Sequence, residues 1–167
     1  PQSFEYASLG GWVVTRSSGQ QSLRYGRAED WFAGGCLLRP DGTEWRLPPL
    51  PASSAGPDLR EWLLGSEGRM GVLAEVTVRV TRLPEQEQFV GVFLPSWEAG
   101  LAAARELVQQ RVPLSMLRLA NAQETETTLA LAGAAGHGLE IGLLQRYLQL
   151  RGSGAGKVLM LLGFTGS

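Results

Sequence analysis

The chain has 167 residues, 44% of them hydrophobic and 19% charged, a size suited to one compact domain or two small ones sharing a boundary. Its 15 basic and 16 acidic residues leave a formal charge of −1, so the basic footprint of a nucleic-acid binder is missing. One cysteine, Cys36, and one histidine, His137, exclude an intramolecular disulfide and a Cys- or His-based metal cluster, and no apolar run approaches the ~20 residues of a membrane-spanning helix. These features read as a globular, cytoplasmic protein without a metal site. The chain opens on Pro1 in patterned sequence and stops at Ser167 just past an apolar run, so both ends read as internal to a longer chain.

In chain order, LGGWVVTRSS (residues 9–18) is a short apolar piece entered through a double glycine. Residues 31–47 predict a β-hairpin about Asp41-Gly42, a pair that supplies the positive φ a tight turn needs. Residues 48–57 (PPLPASSAGP) read as loop. Residues 58–64 suit one or two helical turns with Leu59, Trp62 and Leu63 on one face. GSEGRMG (65–71) then runs into the clearest strand, in which Val72, Ala74, Val76, Val78 and Val80 alternate with Leu73, Glu75, Thr77, Arg79 and Thr81.

The polar run PEQEQ (84–88) marks a boundary, giving domains at 1–84 and 85–167. Residues 89–94 read as strand, and Ser96 as the N-cap of a helix over 97–110 that Pro113 ends. Residues 115–119 suit a second strand, 121–131 and 138–150 two helices, and 157–165 a third strand. The second helix of that pair carries Leu139, Leu143, Leu144, Tyr147 and Leu148 at helical spacing. The order β-α-β-α-α-β is that of a split βαβ sheet covered by helices, lacking a completing strand.

Chemistry concentrates in the two glycine-rich segments. Bare backbone at Gly10 and Gly11 stands beside hydroxyls at Ser8, Thr15, Ser17 and Ser18, so several N–H and O–H donors can meet one anion or one flat polar ring. Gly65, Gly68 and Gly71 bracket Ser66 and Glu67, where bare backbone admits a ligand and a carboxylate can accept from ribose hydroxyls. Their spacing is not Gly-x-Gly-x-x-Gly, and they precede a strand, which speaks against a nicotinamide-type site. The plainer alternative, glycines serving only the turns of a compact sheet, stays open on these residues alone.

The strings SFEYASLGGWVVTRSSGQQSLRYGRAED and GPDLREWLLGSEGRMGVLAEVTVRV, with the Pro-Asp-Gly hairpin between them, resemble FAD-linked oxidases of the vanillyl-alcohol oxidase type. Within that group they are most similar to the alkyldihydroxyacetonephosphate synthase branch, and FLPSWEAGLAAARELVQQRVPLSMLRLANAQ resembles the start of its cap domain. The resemblance implies an α+β chain: the second half of a PCMH-type FAD-binding domain, a mixed sheet with short helices, followed by the start of a ferredoxin-like α/β cap. It implies non-covalent FAD, contacted by the segments 2–8, 15–18 and 67–73, with Ser8, Gly10, Gly11, Thr15, Arg16, Ser17, Ser18, Glu67, Gly68, Arg69, Gly71 and Val72 as cofactor-binding residues. Arg118, in the strand SMLRL, is implied to meet an anionic small-molecule substrate. His137 reads as a loop residue rather than a flavin attachment point. The family has Thr-Leu where this chain has Arg69-Met70.

The activity so implied is FAD-dependent: oxidation of a hydroxy acid or alcohol, or a flavin-mediated exchange of an acyl for an alkyl group. Members also carry a Gly-rich loop upstream and the rest of the cap downstream, so this chain reads as an internal fragment, inactive alone, of an enzyme for which a homodimer stays open. Trp12 and Tyr25 read as core aromatics that can also border a flavin ring, Glu29-Asp30 as local hydrogen-bonding acids, and Cys36 as a buried thiol. The rival reading is a non-catalytic α/β interaction module.

Overall fold

The computed structural model describes every residue except Gln2, Ala52, Ser53 and Ser167. It divides into two compact units, Pro1–Leu83 and Pro84–Ser167. No helix among the described residues is long and apolar enough to cross a membrane.

The first unit runs through helices α1 (Leu9–Val14), α2 (Ser22–Tyr25) and α3 (Ala28–Trp31), strands β1 (Phe32–Leu38) and β2 (Glu44–Leu47), helix α4 (Arg60–Leu63) and strand β3 (Val72–Val78). The strands form one antiparallel sheet in the order β2-β1-β3. The hairpin forms as expected, but only Gly42 takes a positive φ, +81°. Gly42 N–H donates to Arg39 C=O and Arg39 N–H to Thr43 C=O, the bonding of a three-residue loop closed by a left-handed residue rather than a two-residue turn. The LGGWVV run is a helix, capped by Ser8, whose Oγ accepts from Gly11 N–H at 3.1 Å.

Val13, Phe32, Leu37, Leu47, Leu63 and Leu64 form the core of this unit, with Trp31, Trp45, Met70, Leu73 and Val76 packed against it. Two expectations about faces fail here. In the turn of α4 it is Leu63 and Leu64 that are buried, while Leu59 and Trp62 stay exposed. In β3 the alternation does not keep the valines on one face. Cys36 pairs with Glu75 but Leu37 with Leu73, so Ala74 is an extra residue. This bulge switches the phase of the strand: Leu73 and Val76 both reach the core, and Val72 is 68% exposed.

The second unit comprises β4 (Gln86–Leu94), α5 (Trp97–Gln109), β5 (Met116–Ala120), α6 (Ala122–Ala132), α7 (Gly138–Leu150) and β6 (Val158–Gly166). The last strand lies in the middle, in the order β4-β6-β5, antiparallel to both neighbours. That is the split βαβ topology read from the element order, and it makes the chain α+β throughout. Ser96 caps α5, accepting from Ala99 N–H at 3.3 Å. Helix α5 lies close on the sheet because Gly100 has no side chain: a Cβ there would stand 2.8 Å from Leu119 Cδ1 and 3.0 Å from Val158 Cγ2.

Gln86, Glu87 and Gln88 belong to β4, paired with Gly166, Thr165 and Phe164, although their polarity suggested only a boundary. A wide turn over Gly133–His137, with Gly136 at φ +107°, separates α6 from α7. Only Leu148 of α7 is buried; Leu139, Leu143 and Tyr147 are exposed. The apolar spacing of α7 therefore does not mark a face buried within this unit.

Candidate functional site

The two glycine-rich segments, some fifty residues apart in sequence, meet in the first unit. Gly10 brings α1 against β3, with a hypothetical Cβ 3.1 Å from the Leu73 carbonyl oxygen. At the other end of α1, Glu67 N–H donates to Val14 C=O at 2.9 Å. The residues that turn the chain at this junction hold left-handed φ: Arg16 at +49°, Gly65 at +76°, Glu67 at +50°, Gly68 at +82°. For Arg and Glu such angles are uncommon and strained.

Gly71, at φ +138°, has a structural reason to be glycine, because a Cβ there would overlap the Leu38 carbonyl. Arg69 N–H donates to Ser66 C=O at 3.0 Å and Gly71 N–H to Gly68 C=O at 3.3 Å, so the second segment is folded into consecutive tight turns. Glu67 and Arg69 are exposed.

Counting protons on the hydroxyls shows what the first segment can offer. Thr15 Oγ1–H donates to Gly11 C=O at 2.8 Å, and Thr15 Oγ1 lies 2.8 Å from Ser17 Oγ. A hydroxyl has one proton; with that of Thr15 committed, Ser17 is the donor of the second bond and faces outward as an acceptor only. Ser18 is exposed. In the short helix α1 the Leu9 and Gly10 amides are first-turn donors with no intrahelical partner. Trp12 Nε1 and Ser66 Oγ are buried without a hydrogen-bond partner among the described residues, and Trp12 packs edge-on against Trp31, with centroids 6.3 Å apart.

Of the remaining residues singled out by sequence, Gln2 lies outside the described residues. Val72 is exposed just before the bulge. Asp30 Oδ2 accepts from Arg27 N–H at 2.7 Å, and Glu29 lies 3.2 Å from the Arg27 guanidinium, local roles as expected. Cys36 is buried. In the second unit, Arg118 on β5 is ion-paired with Glu124 of α6, and His137 is exposed with Nδ1 3.0 Å from Glu140.

Sequence reasoning missed a polar cleft of about 220 Å³ lined by Glu29, Asp30, Asp58, Arg60, Glu61 and Arg79, among others. Asp58 and Arg60 are paired at 2.6 Å. The side-chain hydrogen bond from Arg60 holds the Asp58 carboxyl below its ordinary range and raises Arg60 in turn. Arg60 and Arg79 also donate to the carbonyls of Leu50 and Pro51, at 3.2 and 3.3 Å. The Asp-x-Arg spacing was the only sequence signal for this group.

Residues 83–167 match the family model described as FAD linked oxidases, C-terminal domain. The chain is 39% identical over 119 residues to an alkyldihydroxyacetonephosphate synthase of Caenorhabditis elegans, covering 71% of this chain and 20% of that protein. It is 38% identical over 125 residues to an uncharacterized FAD-linked oxidoreductase, YgcU, of Escherichia coli (strain K12), covering 74% of this chain and 26% of that one. A solved structure of alkyldihydroxyacetonephosphate synthase superposes with a TM-score of 0.80 at 27% identity, over 99% of this chain and 30% of that chain. The chain thus spans only about a fifth to a quarter of the length of these curated relatives. With the family model covering half its length and the remainder following the same solved fold, the chain belongs to the FAD-linked oxidases, a family whose cofactor is FAD.

Proposed function

We propose that the parent protein is an FAD-dependent enzyme of the oxidoreductase type, acting on a small molecule and holding FAD without a covalent bond. Residues 1–84 would be the C-terminal part of its FAD-binding domain and 85–167 the first part of its cap. The observation that carries this reading is the junction of the two glycine-rich segments. It holds an acceptor-only hydroxyl at Ser17, the first-turn amides of Leu9 and Gly10 that the helix itself does not engage, and two buried polar atoms without a partner, Trp12 Nε1 and Ser66 Oγ. Such a mixture suits a ligand with both phosphate oxygens and donor-bearing ribose or ring edges, and FAD has these.

Ser8, Gly10, Gly11, Thr15, Ser17 and Ser18, with the backbone of Arg16 between them, would line one side of the cofactor, and Glu67, Gly68, Arg69, Gly71 and Val72 the other. Exposed Arg69 supplies a cation for the diphosphate, and Glu67 an acceptor for a ribose hydroxyl. Bound FAD would supply hydride acceptance from an alcohol or hydroxy acid, or acyl-for-alkyl exchange without net redox. Arg118 would meet the anionic group of the substrate, sharing its charge with Glu124. His137, exposed and 3.0 Å from Glu140, is read as a surface residue rather than an attachment point.

The test is the visible spectrum of the full-length protein before and after heat precipitation. Flavin bands released into the supernatant support the reading. A colourless, folded protein that FAD cannot reconstitute overturns it.

A further inference from the structure

Arg16 stands inside the first cofactor segment, yet its guanidinium is engaged by the chain that leads into the second segment. Its Nε donates to the Leu64 carbonyl at 3.4 Å. One terminal nitrogen is ion-paired with Glu61, and the other lies 3.8 Å from Glu29. Leu64 immediately precedes Gly65, whose missing Cβ would stand 3.5 Å from Arg16 Cδ. The side chain thus lies along the entrance to the Gly65–Gly71 turns.

Two features make this more than a surface ion pair. Arg16 adopts φ +49°, a conformation that strains any residue bearing a Cβ, and it is this turn that aims the side chain at α4. Across the same junction Glu67 is also left-handed, at φ +50°, and its amide closes onto Val14, two residues before Arg16. Two strained residues and one hydrogen bond from turn to helix end therefore lie at this junction. Arginine spreads its donors over Nε and two terminal nitrogens in one rigid plane, each facing a different acceptor here, whereas lysine has all three donors on a single nitrogen.

We infer that Arg16 is a positioning residue: acting through Glu61, Glu29 and the Leu64 carbonyl, it sets the spacing between the two cofactor segments. This rests on the FAD reading above, and it assigns to Arg16 an indirect role in place of direct contact with the diphosphate. The two roles make opposite predictions for Glu61, which belongs to neither cofactor segment. If Arg16 touches FAD, removing Glu61 frees a cation and leaves binding unchanged or tighter. If Arg16 positions, removing Glu61 loosens the junction and weakens binding.

The experiment compares full-length wild type with E61A, E61Q and R16K. It measures FAD affinity by quenching of flavin fluorescence, the absorption band shape of the bound flavin at saturating FAD, and hydrogen exchange of the Glu67 amide without FAD. Expected for E61A is a loss of affinity on the order of fivefold, an altered band shape and faster exchange at Glu67. R16K should show the same changes and E61Q smaller ones. Unchanged or tighter FAD binding in E61A overturns the inference, as does a mere fall in unfolding midpoint with affinity and band shape intact. If wild type binds no FAD while E61A still speeds exchange at Glu67, the functional reading has failed, and the positioning role falls with it to a purely structural clasp.

Discussion

The Glu67 amide donates to the Val14 carbonyl at 2.9 Å, and this bond joins the C-terminal end of α1, within the first glycine-rich segment, to the middle of the second. Val14 closes α1, whose other end rests on β3 through Gly10. The segment 65–71 leads directly into β3. The bond therefore completes a loop of contacts: helix on strand at one end, helix on turn at the other. Groups that are donors and acceptors without partners can be held in place by such a frame before a ligand arrives, which lowers the ordering cost of binding.

The glycines of the second segment are not equivalent. Gly71→Ala meets both a disallowed φ of +138° and the Leu38 carbonyl, and should cost more than about 2 kcal/mol of stability. Gly68→Ala, at φ +82° with open space around it, should cost only about 1 kcal/mol. Unfolding midpoints of the two variants check the order; equal losses would mean that strain at φ alone decides.

Helix α5 ends in a Schellman motif built on the wrong residue. Val112 N–H donates to Leu107 C=O and Arg111 N–H to Val108 C=O, both at 3.1 Å, with Arg111 left-handed at φ +53°. Glycine is the preferred residue there. Arg111→Gly should stabilise the protein by about 1 kcal/mol, seen as a raised unfolding midpoint.

The position of α5 and its Ser96 cap was legible because capping and proline chemistry act within a few residues. So was the element order of the second unit, which fixed its class. The faces of β3 and α7 were not. Periodicity assumes an uninterrupted strand, and the bulge at Ala74 is set by pairing with β1, a partner forty residues away. The stripe Leu139, Leu143, Tyr147 is truly periodic, yet all three residues are exposed, so helical spacing alone does not mark a buried face. At the site, residue types announced the two segments, whereas the clasp of Arg16 on Glu61 depends on where a left-handed turn aims a side chain, and no spacing rule encodes that.

Asp58 should make stability depend on acidity. Hydrogen bonding to Arg60 lowers its folded-state pKa beneath the ordinary 3.8, so its contribution is full above 3.8 and fades as pH falls through the lower folded value. The side chain is 42% exposed, so solvent screening keeps the effect modest. Asp58→Asn should be less stable than wild type at neutral pH, with the gap closing in strong acid. A gap independent of pH would show that packing, not charge, is what Asp58 supplies.

Thr125 is fully buried, and its Oγ1 accepts from Leu159 N–H at 2.9 Å, opposite Ala120, the last residue of β5. Thr125→Val keeps the shape but strands a buried amide, which should cost about 1–3 kcal/mol. Hydrogen exchange at Leu159 should quicken well beyond that of its neighbours. Uniform change along β6 would point instead to general loosening of the sheet.

The proton count at Thr15 gives a directional prediction for the ligand. Because Thr15 donates to Gly11 C=O, Ser17 spends its proton on Thr15 and can only accept from outside. Ser17→Ala then removes an acceptor and should weaken FAD binding about five- to tenfold. Thr15→Val removes the acceptor that takes the Ser17 proton, leaving Ser17 able to donate to the ligand as well as to accept from it. If the ligand edge at Ser17 is a donor, an N–H or a hydroxyl, the Ser17 lone pairs still accept from it, and Thr15→Val should weaken binding less than Ser17→Ala, through the lost fixing of the hydroxyl. If that edge is a phosphate oxygen, Thr15→Val should strengthen it, because the freed proton now has an acceptor. Affinities of the two variants for FAD in the full-length protein, compared side by side, separate these cases by sign rather than by size.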